Sequence, residues 1–394
     1  MEKMTYADTG VDYVTSDPVK IAAQRAAATT DHFVERFGFK VVKWSRGESV
    51  FLINTPSGYL GFVIEGLGTK NLVADKMYAL AGHMQTLTGK SYYDQVAQCN
   101  VAMVVNDMIT LGARPVSFGQ YLAVGDSGWF SDKKRYEDLI DGTRKACVLA
   151  RCSWGPGETP TLKDMVFPGT AELAGAAVGW IPDKRQLINP SRITPGDVIV
   201  MVESSGIHAN GLTMARKIGE RKDGLTKKSG HLLFPARFPL QALPDGYLTK
   251  LSDGRTYGET LLDPTHIYVG LVEDCLNHGV DIHYTVNITG HGWRKFMRAT
   301  QPFTYVINKL PMWQPIFGFI QKHGPVDDRE AYGNLNMGAG FALYVTEAQA
   351  SQVISIAKHL GFRAFVAGCI ERGPKKVVIK PVGLEYAAET LAVR

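Results

Sequence analysis

Apolar residues recur along this chain with two periods, and the alternation between them lays out strands and helices. Residues 50–53 and 59–64 read as strands, with Asn54, Thr55, Pro56, Ser57 and Gly58 turning between them. Residues 91–111 predict a long helix that Ser91 can cap, with Val96, Cys99, Val101, Met103, Val104, Met108 and Leu111 on a broad apolar face. An earlier helix is expected over 18–37, capped by Asp17, with Pro18 in its first turn and Gly38 as its stop. Residues 116–124 predict a strand and 133–151 another helix. The small apolar residues of 171–180 suit a strand packed closely on both faces.

Beyond a connector at 189–197, the chain restarts with a strand at 198–202, a glycine turn and a helix over about 209–220. Residues 221–262 are polar, rich in Gly and Pro, and read as a long excursion. Helices at about 265–277 and 314–323 precede a final strand, helix and strand at 339–345, 347–360 and 364–370. The alternation lacks the short regular period of a doubly wound sheet, so the fold expected is α+β, with helices on one face of mixed sheets. At 394 residues the chain exceeds one ordinary core, which predicts two domains, 1–183 and 184–394.

Composition narrows the partners. The chain is 45% hydrophobic and 21% charged with a net charge of +5, the balance of a globular protein. Its one basic cluster, Arg221, Lys222, Lys227 and Lys228, has no interleaved aromatics and reads as a solvated loop, so no nucleic-acid partner is expected. The five cysteines form no Cys-x-x-Cys pair, which suggests free thiols in a reducing compartment. No apolar run approaches the roughly 20 residues of a membrane span. Residues 1–8 contain no apolar signal core, so a cytoplasmic protein is expected.

Five polar constellations carry candidate chemistry. The strand at 59–64 ends in Glu65, Gly66, Leu67, Gly68, Thr69 and Lys70. Glycines let backbone N–H groups approach a phosphate, a lysine supplies a point charge, and a carboxylate at the turn can hold the accompanying cation. The spacing matches neither the Walker nor the dinucleotide fingerprint, so a tight turn with a solvated lysine stays open. Asn106 and Asp107 interrupt an apolar helix, a costly placement unless they bind a cation or complete a hydrogen-bond network. Glu158, after Trp154, Gly155, Pro156 and Gly157, suits a cation or faces water. Ser205, Gly206, His208 and Asn210 lie between a strand and a helix, where backbone N–H groups bind anions. No Gly-x-Ser-x-Gly elbow accompanies them. Thr289, in the Gly-rich turn of Asn287 to Gly292, can touch a phosphate. Gly338 and Gly340 suit a close approach of backbones.

The order of these motifs resembles that of the aminoimidazole ribonucleotide synthetases, or phosphoribosylformylglycinamidine cyclo-ligases. The likeness runs from Tyr6, Ala7, Gly10, Val11 and Asp12 through Glu65 to Lys70, Val105 to Asp107, Gly157 to Thr159, Ala174 to Gly179 and Ser205 to Gly211. It continues through Leu262 to Val269, Ile288 to Gly290 and Asn336 to Gly338. The resemblance implies two α+β domains, with the N-terminal sheets of two subunits closing a shared barrel in a homodimer. It implies that ATP with Mg2+ phosphorylates the amide oxygen of a small ribonucleotide, after which an internal nitrogen closes the ring. A monovalent cation requirement is left open. Carried over, Gly66, Gly68, Thr69 and Lys70 line the nucleotide phosphates. Glu65, Asn106, Asp107 and Glu158 hold the metal, and Ser205, Gly206, His208, Asn210 and Thr289 take the substrate. Lys70, Asp107 and His208 are the catalytic candidates, with His208 the expected acid or base.

Four positions depart from the family pattern: Glu65 replaces Asp, Gln120 replaces Asp, Pro156 interrupts a Gly-Gly-Glu-Thr run, and His291 replaces Gly. They leave two alternatives beside the cyclo-ligase: a related amide-activating or small-molecule kinase, and a non-catalytic nucleotide-binding subunit.

Overall fold

The computed structural model describes residues 4–83, 89–220, 243 and 245–391. In its N-terminal half these residues form α1 (Tyr13–Ala28), β1 (Lys40–Val41), β2 (Phe51–Thr55), β3 (Gly58–Gly66), α2 (Lys70–His83) and α3 (Tyr93–Met108). β4 (Arg114–Val124), α4 (Lys133–Leu149), β5 (Ser153–Glu158) and β6 (Ala171–Ile181) complete that half. The second half begins with β7 (Val198–Glu203), α5 (Leu212–Gly219), α6 (Tyr257–Leu261), α7 (Val269–Asn277), β8 (Tyr284–Asn287) and β9 (Phe303–Ile307). It ends with α8 (Pro315–His323), α9 (Asp328–Asn334), β10 (Ala339–Val345), α10 (Glu347–His359), β11 (Ala364–Arg372), β12 (Lys376–Ile379) and β13 (Leu384–Ala387).

The strands make two mixed sheets, as the α+β reading expects. The first has the order β1-β2-β3-β6-β4-β5 and the second β13-β12-β9-β11-β7-β10-β8. Each is antiparallel apart from one parallel pair, β4 with β5 and β12 with β9. α3 is apolar almost all round, and it lies buried between the first sheet and α4. Gly142 permits the close crossing, since a Cβ there would sit 2.5 Å from the Asp94 backbone. The opposite face of the same sheet is open and apolar: Phe62, Ile64, Val116 and Val178 stand exposed, with Phe62 directly across from Val178. Among the described residues no helix is long and apolar enough to cross a membrane. All five cysteines are free.

Several expectations need correction. The first helix starts five residues earlier than expected, because Asp12 rather than Asp17 accepts the capping bond, from Val14 N. It stops at Ala28, and Asp31–Phe37 is a separate 3-10 turn. Pro18 falls inside the helix. Ser91 does accept a bond from Tyr93 N, but Tyr92 is the capping residue. The excursion at 221–262 ends in the ordered α6, capped by a reciprocal Thr256–Glu259 box. Its basic cluster lies outside the described residues. Residues 265–268 precede rather than open α7. Helix α2 and strands β5, β8, β9, β12 and β13 were not read from the periodicity.

Candidate active site

Two buried polar regions meet where the halves of the chain join. The first is a seam around Leu262 to Tyr268. Lys70 opens α2, is fully buried, and its Nζ donates to the carbonyls of His208 (2.9 Å) and Asp263 (2.5 Å). Asn106 on α3 donates to the His266 carbonyl at 2.8 Å and accepts from Tyr268 N at 2.9 Å. Gln98 reaches the Thr265 carbonyl, Cys99 accepts from Thr265 N, and Ser205 donates to the Pro264 carbonyl at 2.6 Å. Arg255 holds the Asp263 carboxylate with two N–H donors. The loop is thus stitched to both halves at once.

His208 belongs to this seam. It takes the left-handed conformation (φ 60°), and its Nε2 accepts from Ser205 N at 3.3 Å. Complete burial, with His266 and Lys70 nearby, holds its pKa well below the ordinary imidazole value. Burial thus favours the neutral ring, with Nε2 as an acceptor, the form that a general base takes. Gly340 makes room for it: a Cβ there would lie 1.9 Å from the Tyr268 hydroxyl and 2.8 Å from His208 Cε1. The close approach expected at that glycine is therefore of rings, not of backbones. Two of the three Lys70 donors are committed to main-chain carbonyls, so it is not a solvated lysine and keeps one donor for other partners.

The second region is charged and sparsely bonded. Glu65 at the end of β3 points inward toward Asp107 on α3, and neither carboxylate has an ion-pair partner within 4 Å among the described residues. Asp107 accepts from Asn287 Nδ2 at 2.7 Å. No described residue donates a hydrogen bond to Glu65, whose pKa burial and Asp107 push up to about 7. Facing them from the second half are Thr289, Lys295 and Arg298. Lys295 Nζ donates to Thr289 Oγ1, and burial draws its pKa down to about 8. Arg298 pairs with Glu48 at 3.4 Å. Three buried polar atoms of the predicted turns have no hydrogen-bond partner among the described residues: Thr69 Oγ1, Asn210 Oδ1 and His291 Nε2, the last 3.6 Å from Asp17 Oδ2. Lys295, Arg298 and Glu48 escaped the sequence reading. The signal for Lys295 was a lysine between buried Trp293 and Phe296, the pattern that exposed Asn106 and Asp107.

The remaining expected residues divide. Gly68 adopts φ 82°, which favours glycine, while a Cβ on Gly66 would meet nothing within 4 Å. A Cβ on Gly206 (φ 154°) would lie 3.5 Å from Asp263. Glu158 does not join Glu65. The register Glu65–Gly175–Gln120–Gly157 puts three strand intervals between them, about 14 Å at ~4.8 Å each. Glu158 instead lines a cleft of about 500 Å³ with Gln120, Trp129, Leu139 and Trp154. Gln120 accepts from Thr143 on α4. Pro156 is tolerated because β5 is an edge strand with an irregularity opposite Gly119. His291, in place of a glycine, keeps the left-handed backbone a glycine would take (φ 67°). Its ring stacks on Tyr13 of α1 at 3.8 Å, a contact that offsets the strain.

Of the expected metal ligands, Glu65 and Asp107 converge, whereas Asn106 is bound into the seam and Glu158 lies elsewhere. Among the described residues no three His, Cys, Asp or Glu side chains form a metal-binding group. Two carboxylates still fit a magnesium ion, which is commonly held by one or two of them plus substrate phosphates.

Residues 69–181 match the family model for "AIR synthase related protein, N-terminal domain", and residues 194–380 match its C-terminal counterpart. A phosphoribosylformylglycinamidine cyclo-ligase of Carboxydothermus hydrogenoformans is 32% identical over 390 residues, 96% of this chain and 99% of the relative. The chain belongs to the phosphoribosylformylglycinamidine cyclo-ligase family. A cyclo-ligase of Methanococcus maripaludis is 33% identical, covering 93% of this chain and 92% of its own. Among solved structures the fold is shared with a HypE–HypF complex (TM-score 0.54, 13% identity, 86% of this chain and 92% of that one). It is also shared with T. maritima PurL complexed with ATP (TM-score 0.52, 14% identity, 86% and 46%). The cyclo-ligase likeness therefore spans both sheets and the seam between them.

Proposed function

We propose that this protein closes the imidazole ring of aminoimidazole ribonucleotide from formylglycinamidine ribonucleotide, with ATP supplying the phosphoryl group. The observation that carries this reading is the convergence of Glu65 and Asp107 from one half with Thr289 and Lys295 from the other. An amide oxygen leaves poorly until it becomes a phosphate ester, and phosphoryl transfer needs little beyond positioning and charge neutralisation. Glu65 and Asp107 are the residues that would hold Mg2+, which when bound neutralises phosphate charge. Thr69, Asn210 and Thr289 offer polar atoms to the phosphates and ribonucleotide. The Gly66–Gly68 turn lets backbone N–H groups come close. Lys70 and the seam fix the two halves in the register that brings these groups together.

The test is direct: formylglycinamidine ribonucleotide, ATP and Mg2+ are mixed with the protein, and mass spectrometry looks for the substrate less one water. ATP consumption without that product would reject the reading.

The open apolar face of the first sheet supports a homodimer in which two such faces cover one another, since exposed Phe62, Ile64, Val116 and Val178 form a contiguous patch. Ile64→Lys together with Val178→Lys is expected to shift the mass measured by light scattering from dimer to monomer. A monomeric wild type would end this proposal. Free thiols and the soluble-type composition support a cytoplasmic location.

A further inference from the structure

We propose that Lys295 is the ammonium that contacts the nucleotide phosphates, the role that the sequence suggested for Lys70. This deepens the ATP-dependent reading above and rests on it.

The two lysines differ in what their nitrogens have left to give. Lys70 spends two N–H donors on the carbonyls of His208 and Asp263. Lys295 is also buried, yet among the described residues its only hydrogen bond goes to Thr289 Oγ1. No described carboxylate lies within ion-pairing distance of it, although Asp107 and Glu65 are its electrostatic neighbours. A buried ammonium with two uncommitted donors is costly, and such a group is normally paired. The surrounding polar atoms point to a ligand independently of the lysine. Asn210 Oδ1 is buried with no hydrogen-bond partner among the described residues, as is Nε2 of His291, a ring that feels the Lys295 charge and whose nearest carboxylate, Asp17, stands 3.6 Å away. Asn210 Nδ2 lies 3.6 Å from the position of a Cβ on Gly290, the neighbour of Thr289.

The position also suits the chemistry. Lys295 sits in the 3-10 turn Gly292–Met297 that follows Thr289, Gly290 and His291, and its side chain folds back onto the threonine. The stem is thereby held, and the charge needs no reorganisation when an anion arrives. A compact point charge opposite two carboxylates is an arrangement in which phosphate oxygens bridge an ammonium on one side and a carboxylate-held cation on the other.

The experiment compares Lys295→Met, Lys295→Arg and wild type. A non-hydrolysable ATP analogue with Mg2+ is titrated by calorimetry without ribonucleotide, and turnover and melting are measured separately. Lys295→Met keeps the side-chain volume and removes the charge. It is expected to stay folded with an unchanged or raised Tm, to bind the analogue at least about tenfold more weakly, and to lose about 10²-fold or more in kcat. Lys295→Arg is expected to recover part of the binding. Wild-type analogue affinity in Lys295→Met would overturn the assignment. Should that variant fail to fold, Thr289→Val provides the alternative: it frees the lysine stem and is expected to weaken analogue binding, and unchanged affinity there overturns the proposal equally. A wild type that binds the analogue but forms no cyclised product rejects the ring-closure reading and leaves the Lys295 assignment standing.

Discussion

The seam at Leu262 to Tyr268 and the cluster at Glu65, Asp107 and Lys295 are both buried and polar, yet they are built in opposite ways. In the seam the groups that the sequence made suspicious have found partners. Lys70, Asn106, Cys99, Ser205 and Asp263 are all hydrogen-bonded within the chain. In the cluster Glu65 accepts no hydrogen bond from the described residues, Lys295 donates one, and nearby Asn210 Oδ1 and His291 Nε2 have no hydrogen-bond partner among them. A satisfied buried network specifies a structure, whereas an unsatisfied one costs free energy that a ligand can recover. On the function proposed above, the difference separates residues that hold the halves together from residues that meet substrate.

Substitutions can break that division. Asp107→Asn should give the largest effect on catalysis, a fall in kcat of about 10²–10³-fold, because the amide keeps the shape and the bond to Asn287 but loses the charge opposite Lys295. Its circular dichroism and melting should stay close to wild type. A large drop in Tm with normal turnover would place Asp107 in the scaffold.

Lys70→Met should behave in the reverse way. It leaves the carbonyls of His208 and Asp263 buried without a donor, at a cost of about 1–3 kcal/mol each. Chemical denaturation should therefore show a loss on the order of 2–5 kcal/mol, with analogue affinity little changed at temperatures where the protein is folded. Loss of ATP affinity without loss of stability would return Lys70 to the phosphates.

The smallest effect is expected far from both regions, at His283, whose Nδ1 lies 2.7 Å from Asp197 Oδ2. Asp197 raises the histidine pKa, and although burial opposes it, the bond to His283 lowers that of the aspartate. The histidine contribution is therefore full below about pH 6.5, its ordinary value, and is lost as pH rises through the raised folded value. The aspartate contribution is present above its ordinary value near 3.8 and is lost as pH falls through the lowered one. His283→Gln should lower Tm at pH 6 more than at pH 8.5, with kcat unchanged at both. An equal loss at the two pH values would mean that packing rather than the ion pair matters there.

Much of this could be read from the chain alone, and the rest could not. The apolar strands β3, β6, β7 and β10 and helices α3 and α4 were legible because burial on a sheet or between layers writes a continuous apolar signal. β5 was not, since an exposed edge strand containing Pro156 buries nothing and has no such period. β8, β9 and β12 are short, and pairing with neighbours far along the chain defines them. Helix α2 was not legible, since it opens directly on the glycine turn and its apolar residues are spread around it rather than gathered on one face.

The residues alone determined the two-sheet α+β class, the family, and the suspicion that fell on Glu65, Lys70, Asn106, Asp107, His208 and Thr289. A polar group in an apolar run is costly wherever it sits, so sequence can flag it. Which of those groups is satisfied depends on partners 100 or more positions away, such as His208 and Asp263 for Lys70 or Asn287 for Asp107. Hydrogen bonding is directional and short-ranged, so only the folded arrangement could tell the bonded groups from the unbonded ones and bring Lys295 beside Asp107 and Glu65.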